Sequence, residues 1–232
     1  MHLARPFLLA ARMSLLAAGA LALIGAAPKS IGWNYTLAMT PGGGHLVGNP
    51  DAKVQLTQYV SYTCQHCAAF ARESEGALQI GYISSGKVSV ETRHMLRDPV
   101  DLTAAMLTNC GAPAKFALNH SAFMRSQAGW IALLTRANPA QRQRWVSGPL
   151  GQRGRAIASD FHFYGIMESR GYDRQAVDRC LGDGAVAARL AQQTKDAAAL
   201  GVRYTPSFTI NGQLLDDTFE WSELRPLLDA SL

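Results

Sequence analysis

The sequence predicts an α/β fold in which a strand–helix–strand half and a strand–strand–helix half are separated by a long helical insertion. Three observations predict this order. Apolar residues alternate over residues 53–62, helical spacing follows from Cys67 onward, and Asn211-Gly212 separates two short strand-like runs near the C-terminus. No internal repeat is visible in the chain.

The first half of the fold is predicted from local periodicity. Apolar residues at alternate positions from Val54 to Val60 predict a strand. Apolar and small residues at helical spacing predict a helix that runs to about Ser84, and a second strand is predicted over residues 88–95. The chain therefore begins its folded part with a strand–helix–strand unit.

The insertion is predicted over residues 98–200, where several helical patterns and no convincing strand occur. Its last helix is the clearest, because Gly201 stands where a C-terminal cap belongs. One face of that helix carries Val186, Leu190, Gln193, Ala197 and Leu200.

The second half is predicted after the insertion. Thr205–Ile210 and residues 213–215 are short strand-like runs, and the Asn-Gly pair between them predicts a tight hairpin. A final helix is expected from about Ser222, with Pro226 in its first turn or just beyond, where the missing N–H costs least.

The composition is that of a folded globular protein, since hydrophobic residues make up 48% and charged residues 17% of the 232 residues. That length suffices for one domain with a substantial core, or for a core domain with an insertion. The formal net charge of +5 falls to about +3 once Arg5 and Arg12 are removed with a leader. This surplus is too small to indicate nucleic-acid binding.

The N-terminus predicts a secretory signal peptide over residues 1–26. Arg5 and Arg12 precede an apolar stretch over residues 13–27 that is shorter than the roughly 20 residues a membrane-spanning helix needs. The stretch ends in small residues, and cleavage is expected near Ala26. An uncleaved membrane anchor is the alternative, because a bulky isoleucine stands three positions before that cut. Export would place the chain where disulfides persist.

These signals divide the chain into five segments. They are the signal peptide (1–26), a glycine-rich linker (27–50), the first part of the core domain (51–97), the inserted helical domain (98–200) and the second part of the core domain (201–232).

The tetrad Cys64-Gln65-His66-Cys67 lies at the junction between the first strand and its helix. Free N–H groups and the helix dipole at such a terminus stabilise a thiolate on the first cysteine and lower its pKa. Cys67 lies one turn inside and is better shielded. Cys64 is therefore expected to be the attacking or attacked sulfur and Cys67 the resolving one.

His66 is a candidate for tuning this pair. A cationic imidazole there would further favour the thiolate, and stabilising the reduced form raises the reduction potential. The alternative is an ordinary exposed loop histidine.

Other uses of the cysteine pair stay open at this point. Zinc would need four ligands, but Cys110 and Cys180 are isolated and form no second closely spaced pair. Covalent haem attachment would need histidine directly after the second cysteine, where Ala68 stands. A purely structural disulfide within the tetrad is a further alternative.

These residues resemble the DsbA-like thiol-disulfide oxidoreductases of the bacterial periplasm, within the thioredoxin superfamily. The resemblance covers most of the mature chain. It depends on a Gly-Asn-Pro-Asp-Ala-Lys-Val lead-in from Gly48, the cysteine tetrad, the size of the helical insertion, and the late Thr205-Pro206 before Ile-Asn-Gly. The order and spacing of these pieces are specific, although each piece alone is weak.

The resemblance implies a thioredoxin-like fold with a helical domain inserted between the βαβ half and the C-terminal ββα half. It implies that Pro206 follows a cis peptide bond beside the cysteines, and that the backbone of Thr205 pairs with an extended substrate peptide. A trans proline that merely begins an edge strand is the alternative. Two positions depart from the family pattern: Gln58 replaces a common acidic residue, and Tyr204 replaces a common glycine at the rim of the substrate groove.

The resemblance also implies a structural disulfide between Cys110 and Cys180. Closing a loop of that length would stabilise the fold by roughly 4 kcal/mol, less any strain. Two buried free thiols are the alternative.

The function that the resemblance implies is disulfide donation in the periplasm through Cys64, Cys67, His66 and Gln65, with Thr205, Pro206 and Tyr204 contacting substrate. Expected partners are cysteine-containing protein substrates and a DsbB-like membrane redox partner, with no metal or organic cofactor and no nucleic acid. A monomer is expected, because residues 27–51 are too short and glycine-rich to form the dimerisation domain of isomerases. A disulfide isomerase or reductase is the alternative, since Thr205 fits both groups. A peptide-binding chaperone without redox turnover is a second alternative.

Overall fold

The computed structural model describes residues 1–2 and 32–232. Contacts divide the chain into two units, Met1–Ser30 and Ile31–Leu232, and the fold below is that of the second unit. The predicted signal peptide, its cleavage site and the alternative membrane anchor fall almost wholly outside the described residues. Among the described residues, no helix has the length and apolar character needed to cross a membrane.

The centre of the fold is a six-stranded sheet with the order β1-β2-β4-β3-β5-β6. The central strands β3 and β4 run parallel, and every other neighbouring pair is antiparallel. The strands are β1 (Leu37–Met39), β2 (His45–Gly48), β3 (Val54–Val60), β4 (Val88–His94), β5 (Ser207–Ile210) and β6 (Gln213–Leu214). Together with the flanking helices, this mixed sheet confirms the α/β fold expected from the sequence.

The expected linker over residues 27–50 is wrong for its second half. Residues 37–39 and 45–48 are strands β1 and β2, and β2 pairs with β4 along its whole length. Gly43, with a positive φ of 78°, lies in the turn between them. These strands are only three and four residues long, so they leave no sustained period in the local sequence.

The helix after β3 connects the two parallel strands. It begins as α1 (Gln65–Ala77) and continues through a π turn (Leu78–Tyr82) and a 3₁₀ turn (Ile83–Ser85). Gly86 then takes a left-handed φ of 73°, which reverses the chain into β4 at no steric cost. The predicted helix to about Ser84 is therefore confirmed in extent, although its last turns are not α-helical.

Eight helices lie between β4 and β5, as the insertion predicts. They are α2 (Pro99–Thr108), α3 (Phe116–Trp130), α4 (Ala132–Arg136), α5 (Pro139–Val146), α6 (Leu150–Asp160), α7 (Phe163–Ser169), α8 (Arg174–Leu181) and α9 (Gly184–Ala199). Aromatic side chains dominate their core: the ring centroid of Phe163 lies 5.1 Å from that of Phe123 and 5.0 Å from that of Trp130. On α9, Leu190 is buried as expected, but Leu200 is not, because the helix ends one residue earlier.

The C-terminal half closes the sheet. Asn211 and Gly212 have φ values of 52° and 82°, the left-handed pair that a two-residue hairpin requires. The last helix, α10 (Trp221–Ser231), begins at a capping box between Glu220 and Glu223, and Pro226 lies just beyond its first turn.

Candidate active site

The first cysteine of the tetrad is the N-cap residue of α1. Cys64 follows β3 after a three-residue loop and has extended backbone angles, φ −93° and ψ 116°. An N-cap side chain normally offers oxygen to the free N–H groups of the first turn. Sulfur stands there instead, facing the N–H groups of His66 and Cys67.

The surroundings of Cys64 lower its pKa to about 5. The hydrogen bond with the Cys67 thiol contributes most. Burial opposes the shift, while the hydrogen bond with Thr205 and the backbone N–H groups of Cys67 and His66 add to it. Cys64 is therefore a thiolate at neutral pH.

The second cysteine is shifted in the opposite direction. Burial raises the pKa of Cys67 well above its usual value, and the hydrogen bond and the charge of Cys64 raise it further. The side chain is 1% exposed. The pair therefore contains one anionic sulfur and one protonated sulfur at neutral pH, as the order of the two cysteines predicts.

Cys64 is less accessible than expected. Only 3% of it is exposed, because neighbouring segments cover the sulfur and its Sγ lies 3.0 Å from the carbonyl oxygen of Thr205. Two grooves reach it. The first, called here the helical groove, also contacts Ile131 and Thr135 of the insertion, and the second, the proline groove, contacts Tyr204 and Thr205.

The segment beside the cysteines contains a cis peptide bond between Thr205 and Pro206. Pro206 is buried, whereas Tyr204 is 69% exposed and its ring lies 6.4 Å from that of Phe219. Tyr204 therefore forms the rim of the proline groove. The structure brings this segment to Cys64 across 141 residues of sequence.

Gln65 and His66 are both exposed. The imidazole of His66 borders both grooves, and Gln65 borders the helical groove. The role of the imidazole in favouring the thiolate stays a prediction, since His66 acts on Cys64 through its backbone N–H.

Sequence reasoning missed two buried residues that hold the active-site loop. Gln127 on α3 donates from Nε2 to the carbonyl oxygens of Tyr62 and Cys64, at 2.7 and 2.8 Å. The only sequence signal is a polar residue on the apolar face that Phe123 and Trp130 define. The inserted domain therefore fixes the backbone on which Cys64 is carried.

Asp101 in the first turn of α2 is the other missed residue. Its Oδ1 accepts from the N–H of Tyr62 at 2.7 Å, and its Oδ2 accepts from Ser61 Oγ at 2.6 Å and from the N–H of Arg97 at 3.0 Å. The Ser61 backbone in turn contacts the Cys67 sulfur. In the sequence, Asp101 is indistinguishable from an ordinary acidic residue at a helix start.

Gln58, which replaces the common acidic residue, donates from Nε2 to Thr92 Oγ1 at 2.7 Å. Its amide is thus held by a neighbouring strand and carries no ionisable group.

Cys110 and Cys180 are joined by a disulfide, with a Cα–Cα distance of 5.5 Å. The bond connects the end of α2 to α8, within the insertion. Within residues 32–232, His, Cys, Asp and Glu form no group of three or more that could hold a metal ion.

The fold is a mixed β-sheet flanked by helices, with a Cys-x-x-Cys pair at a helix N-terminus and a cis-proline segment beside that pair. These features define the class of thioredoxin-fold thiol-disulfide oxidoreductases. Comparison with known proteins supports this class. A family described as Thioredoxin matches residues 40–230. A crystal structure of protein-disulfide isomerase from Novosphingobium aromaticivorans is 51% identical, covers 81% of this chain and 96% of its own, and has a TM-score of 0.78.

A more distant solved structure agrees in fold. The structure of Wolbachia pipientis alpha-DsbA1 is 22% identical, with a TM-score of 0.61 and coverage of 82% of this chain and 91% of its own. A Rickettsia bellii protein provisionally named a protein-disulfide oxidoreductase is 27% identical over 172 residues, covering 72% of this chain. The alignment spans only 56% of that relative's length. The chain belongs to the thioredoxin family.

The pKa of Cys64 gives a direct test of this site. In the reduced protein, we expect the rate of Cys64 alkylation to rise with a midpoint near pH 5, because the thiolate is the reactive form. Cys67 should stay unmodified throughout. Mass spectrometry of alkylated peptides measures both, with Cys64→Ser as the control. A midpoint near the ordinary cysteine value of about 8.5 would contradict the described electrostatics.

Proposed function

We propose that this protein is an exported disulfide donor that oxidises cysteine-containing proteins through Cys64 and Cys67. The observation that carries the proposal is the opposite shift of the two thiols: a stabilised thiolate at Cys64 above a buried, protonated Cys67. Stabilising the reduced form of a dithiol raises its reduction potential. A pair with this asymmetry accepts electrons from substrate thiols.

The first proposed step begins with the Cys64–Cys67 disulfide. A substrate thiolate attacks Cys64 Sγ, the bond between Cys64 and Cys67 breaks, and Cys67 leaves with the electron pair and takes up a proton. The product is a mixed disulfide between substrate and Cys64.

In the second step, another substrate thiolate attacks the substrate sulfur of the mixed disulfide. Cys64 leaves as a thiolate, and its low pKa makes it a good leaving group. The substrate gains a disulfide, and its two electrons now reside on the reduced pair.

The surrounding residues take positioning roles in this proposal. Thr205, held by the cis bond to the buried Pro206, offers its backbone to an extended substrate segment, and Tyr204 and His66 border the same groove. Gln65 borders the helical groove. Turnover needs an oxidant for the reduced pair, and we assign this role to a DsbB-like membrane partner in the periplasm. The protein would act there as a monomer without a metal or organic cofactor.

Disulfide isomerisation is the alternative function that any test must distinguish from disulfide donation, because the 51% identical structure is named an isomerase. An isomerase must hold its pair reduced in the periplasm and attack substrate disulfides. Donation and isomerisation therefore differ in the redox state of the pair in the cell.

The test combines trapping with a measured potential. In Cys67→Ala, Cys67 can no longer attack a mixed disulfide on Cys64 and release the substrate, so we expect covalent complexes with exported proteins to last longer and accumulate in cells. The purified wild type should have a reduction potential less negative than about −200 mV and should be oxidised in the cell.

The double variant Cys64→Ser, Cys67→Ala is the control and should trap nothing. A potential near the roughly −270 mV of thioredoxin, with a reduced pair in the cell, would overturn the donor assignment in favour of a reductase or an isomerase.

A further inference from the structure

The approach to Cys64 is bordered by positive charge. Arg97 lines both the helical groove and the proline groove, and Arg203 lines the proline groove. Both side chains are exposed. Cys64 is only 3% exposed, so a substrate that approaches its sulfur along the proline groove passes beside both arginines, and one that approaches along the helical groove passes beside Arg97.

No acidic side chain lines either groove in the part of the chain that the structure describes. The carboxylates nearest to Arg97 in sequence are already engaged. Asp98 accepts from Thr63 Oγ1 at 2.6 Å and from the N–H groups that begin α2, and Asp101 is fully buried. The ion pairs among residues 32–232 involve other arginines, so neither Arg97 nor Arg203 has a carboxylate partner within the described chain.

The backbone fixes where these charges lie. The N–H of Arg97 is held by Asp101 Oδ2, the same oxygen that accepts from Ser61 of the active-site loop. Arg203 follows the buried Val202 and precedes Tyr204 and Thr205 by one and two residues. The two arginines are therefore anchored to the segments on either side of Cys64.

We propose that Arg97 and Arg203 select substrates in which acidic residues flank the reacting cysteine. This inference builds on the proposed function, because it names the substrate class of the same site. An acidic segment lying along the proline groove would place its carboxylates against the two guanidinium groups, which bind carboxylates in a bidentate manner. Exposed pairs of this kind add little to affinity, and their main effect is on the rate of association.

The test uses two dithiol peptides that differ only beside the reacting cysteine, where one has glutamates and the other glutamines. At low ionic strength, we expect the oxidised wild type to oxidise the acidic peptide about fivefold faster, in second-order rate constant. Salt at roughly 0.5 M should bring the two rates together, because it screens exposed charges. Stopped-flow fluorescence measures both rates.

Charge variants locate the effect. Arg97→Gln with Arg203→Gln should abolish the preference, and Arg97→Glu with Arg203→Glu should invert it. Arg225→Glu on α10 reverses one charge of the same kind at an exposed position that lines neither groove, and it should keep the preference. The ratio of the two peptides cancels any change in the reactivity of Cys64, and thermal unfolding checks that each variant is folded.

The ratio of the two peptide rates is measured both for oxidation of the dithiol peptides and for reduction of their disulfides. It can therefore be obtained even if the protein is not a disulfide donor. If the chain is a reductase, the reduced protein should cleave the acidic peptide's disulfide faster, while the donor assignment fails. A ratio near one in the wild type at low salt in both directions would overturn the proposal. A preference that survives both double variants would also overturn it.

Discussion

Lowering the pH from about 6.5 towards 4 is expected to unfold this protein steeply. Burial lowers the pKa of His45 and His94 to about 3 and that of His120 to about 4. His94 is fully buried, and its Nδ1 faces the oxygen of Gln193 at 3.2 Å. That oxygen also accepts the backbone N–H of His94, so the ring donates from Nδ1, and burial is what keeps the ring neutral.

The direction in which stability changes with pH depends on whether the folded or the unfolded chain binds protons at the higher pH. The unfolded chain protonates these imidazoles near pH 6.5, whereas the folded chain resists until about pH 3 to 4. In the same window the folded chain holds one extra proton at Asp101, whose pKa burial raises to about 7. With Cys64 and Cys67 oxidised to a disulfide, so that neither cysteine titrates, the net difference is two protons, and stability should fall by about 3 kcal/mol per pH unit.

The measurement is urea unfolding at a series of pH values. His94→Gln removes one of the three imidazoles, so the slope should flatten by about 1.4 kcal/mol per pH unit. His162→Asn replaces an exposed histidine with a residue that tolerates its left-handed φ of 59°, and it should leave the slope unchanged. Equal slopes for wild type and His94→Gln would contradict the role of the buried imidazole.

Replacing Asp101 by alanine is expected to cost about 3 kcal/mol of unfolding free energy and most of the activity. The substitution leaves the buried N–H of Tyr62 and the N–H of Arg97 without their acceptor, and an unsatisfied buried donor costs about 1–3 kcal/mol. The loop that these hydrogen bonds hold in place carries the residues beside Cys64 and Cys67. Chemical denaturation and peptide oxidation rates measure the two effects.

The pH dependence separates Asp101 from a simple packing residue. Its folded pKa of about 7 lies above the unfolded value, so its stabilisation is complete below about pH 4 and is lost as the pH rises through 7. Asp101→Asn keeps one acceptor oxygen and cannot ionise, so it should cost less than alanine at pH 5. The difference between wild type and Asp101→Asn should shrink as the pH rises to 8. A difference that is constant with pH would show that Asp101 does not titrate in this range.

The active-site cysteines were found from sequence because their signal is local. A strand pattern, two cysteines three positions apart and a following helical pattern lie within about thirty residues. Their chemistry follows from the helix N-terminus alone, and the structure gives the expected asymmetry. The strands β1 and β2 were missed because they are only three and four residues long, and because β2 joins the sheet through β4, more than forty residues away.

The roles of Gln127 and Asp101 could not be predicted from the local sequence pattern. Each is a single polar residue in a helix, and its role depends on the carbonyl or N–H group that it meets from another element. The same holds for the limited exposure of Cys64, which results from a segment 141 residues away in sequence.

The sequence by itself determined the α/β fold class, the helical insertion and the position of the reactive pair, because these depend on contacts between residues close in the chain. Tertiary structure alone decided how Cys64 is covered, which buried groups hold its loop, and that Arg97 and Arg203 border its approach. Those features depend on contacts between distant segments, and no spacing along the chain encodes them.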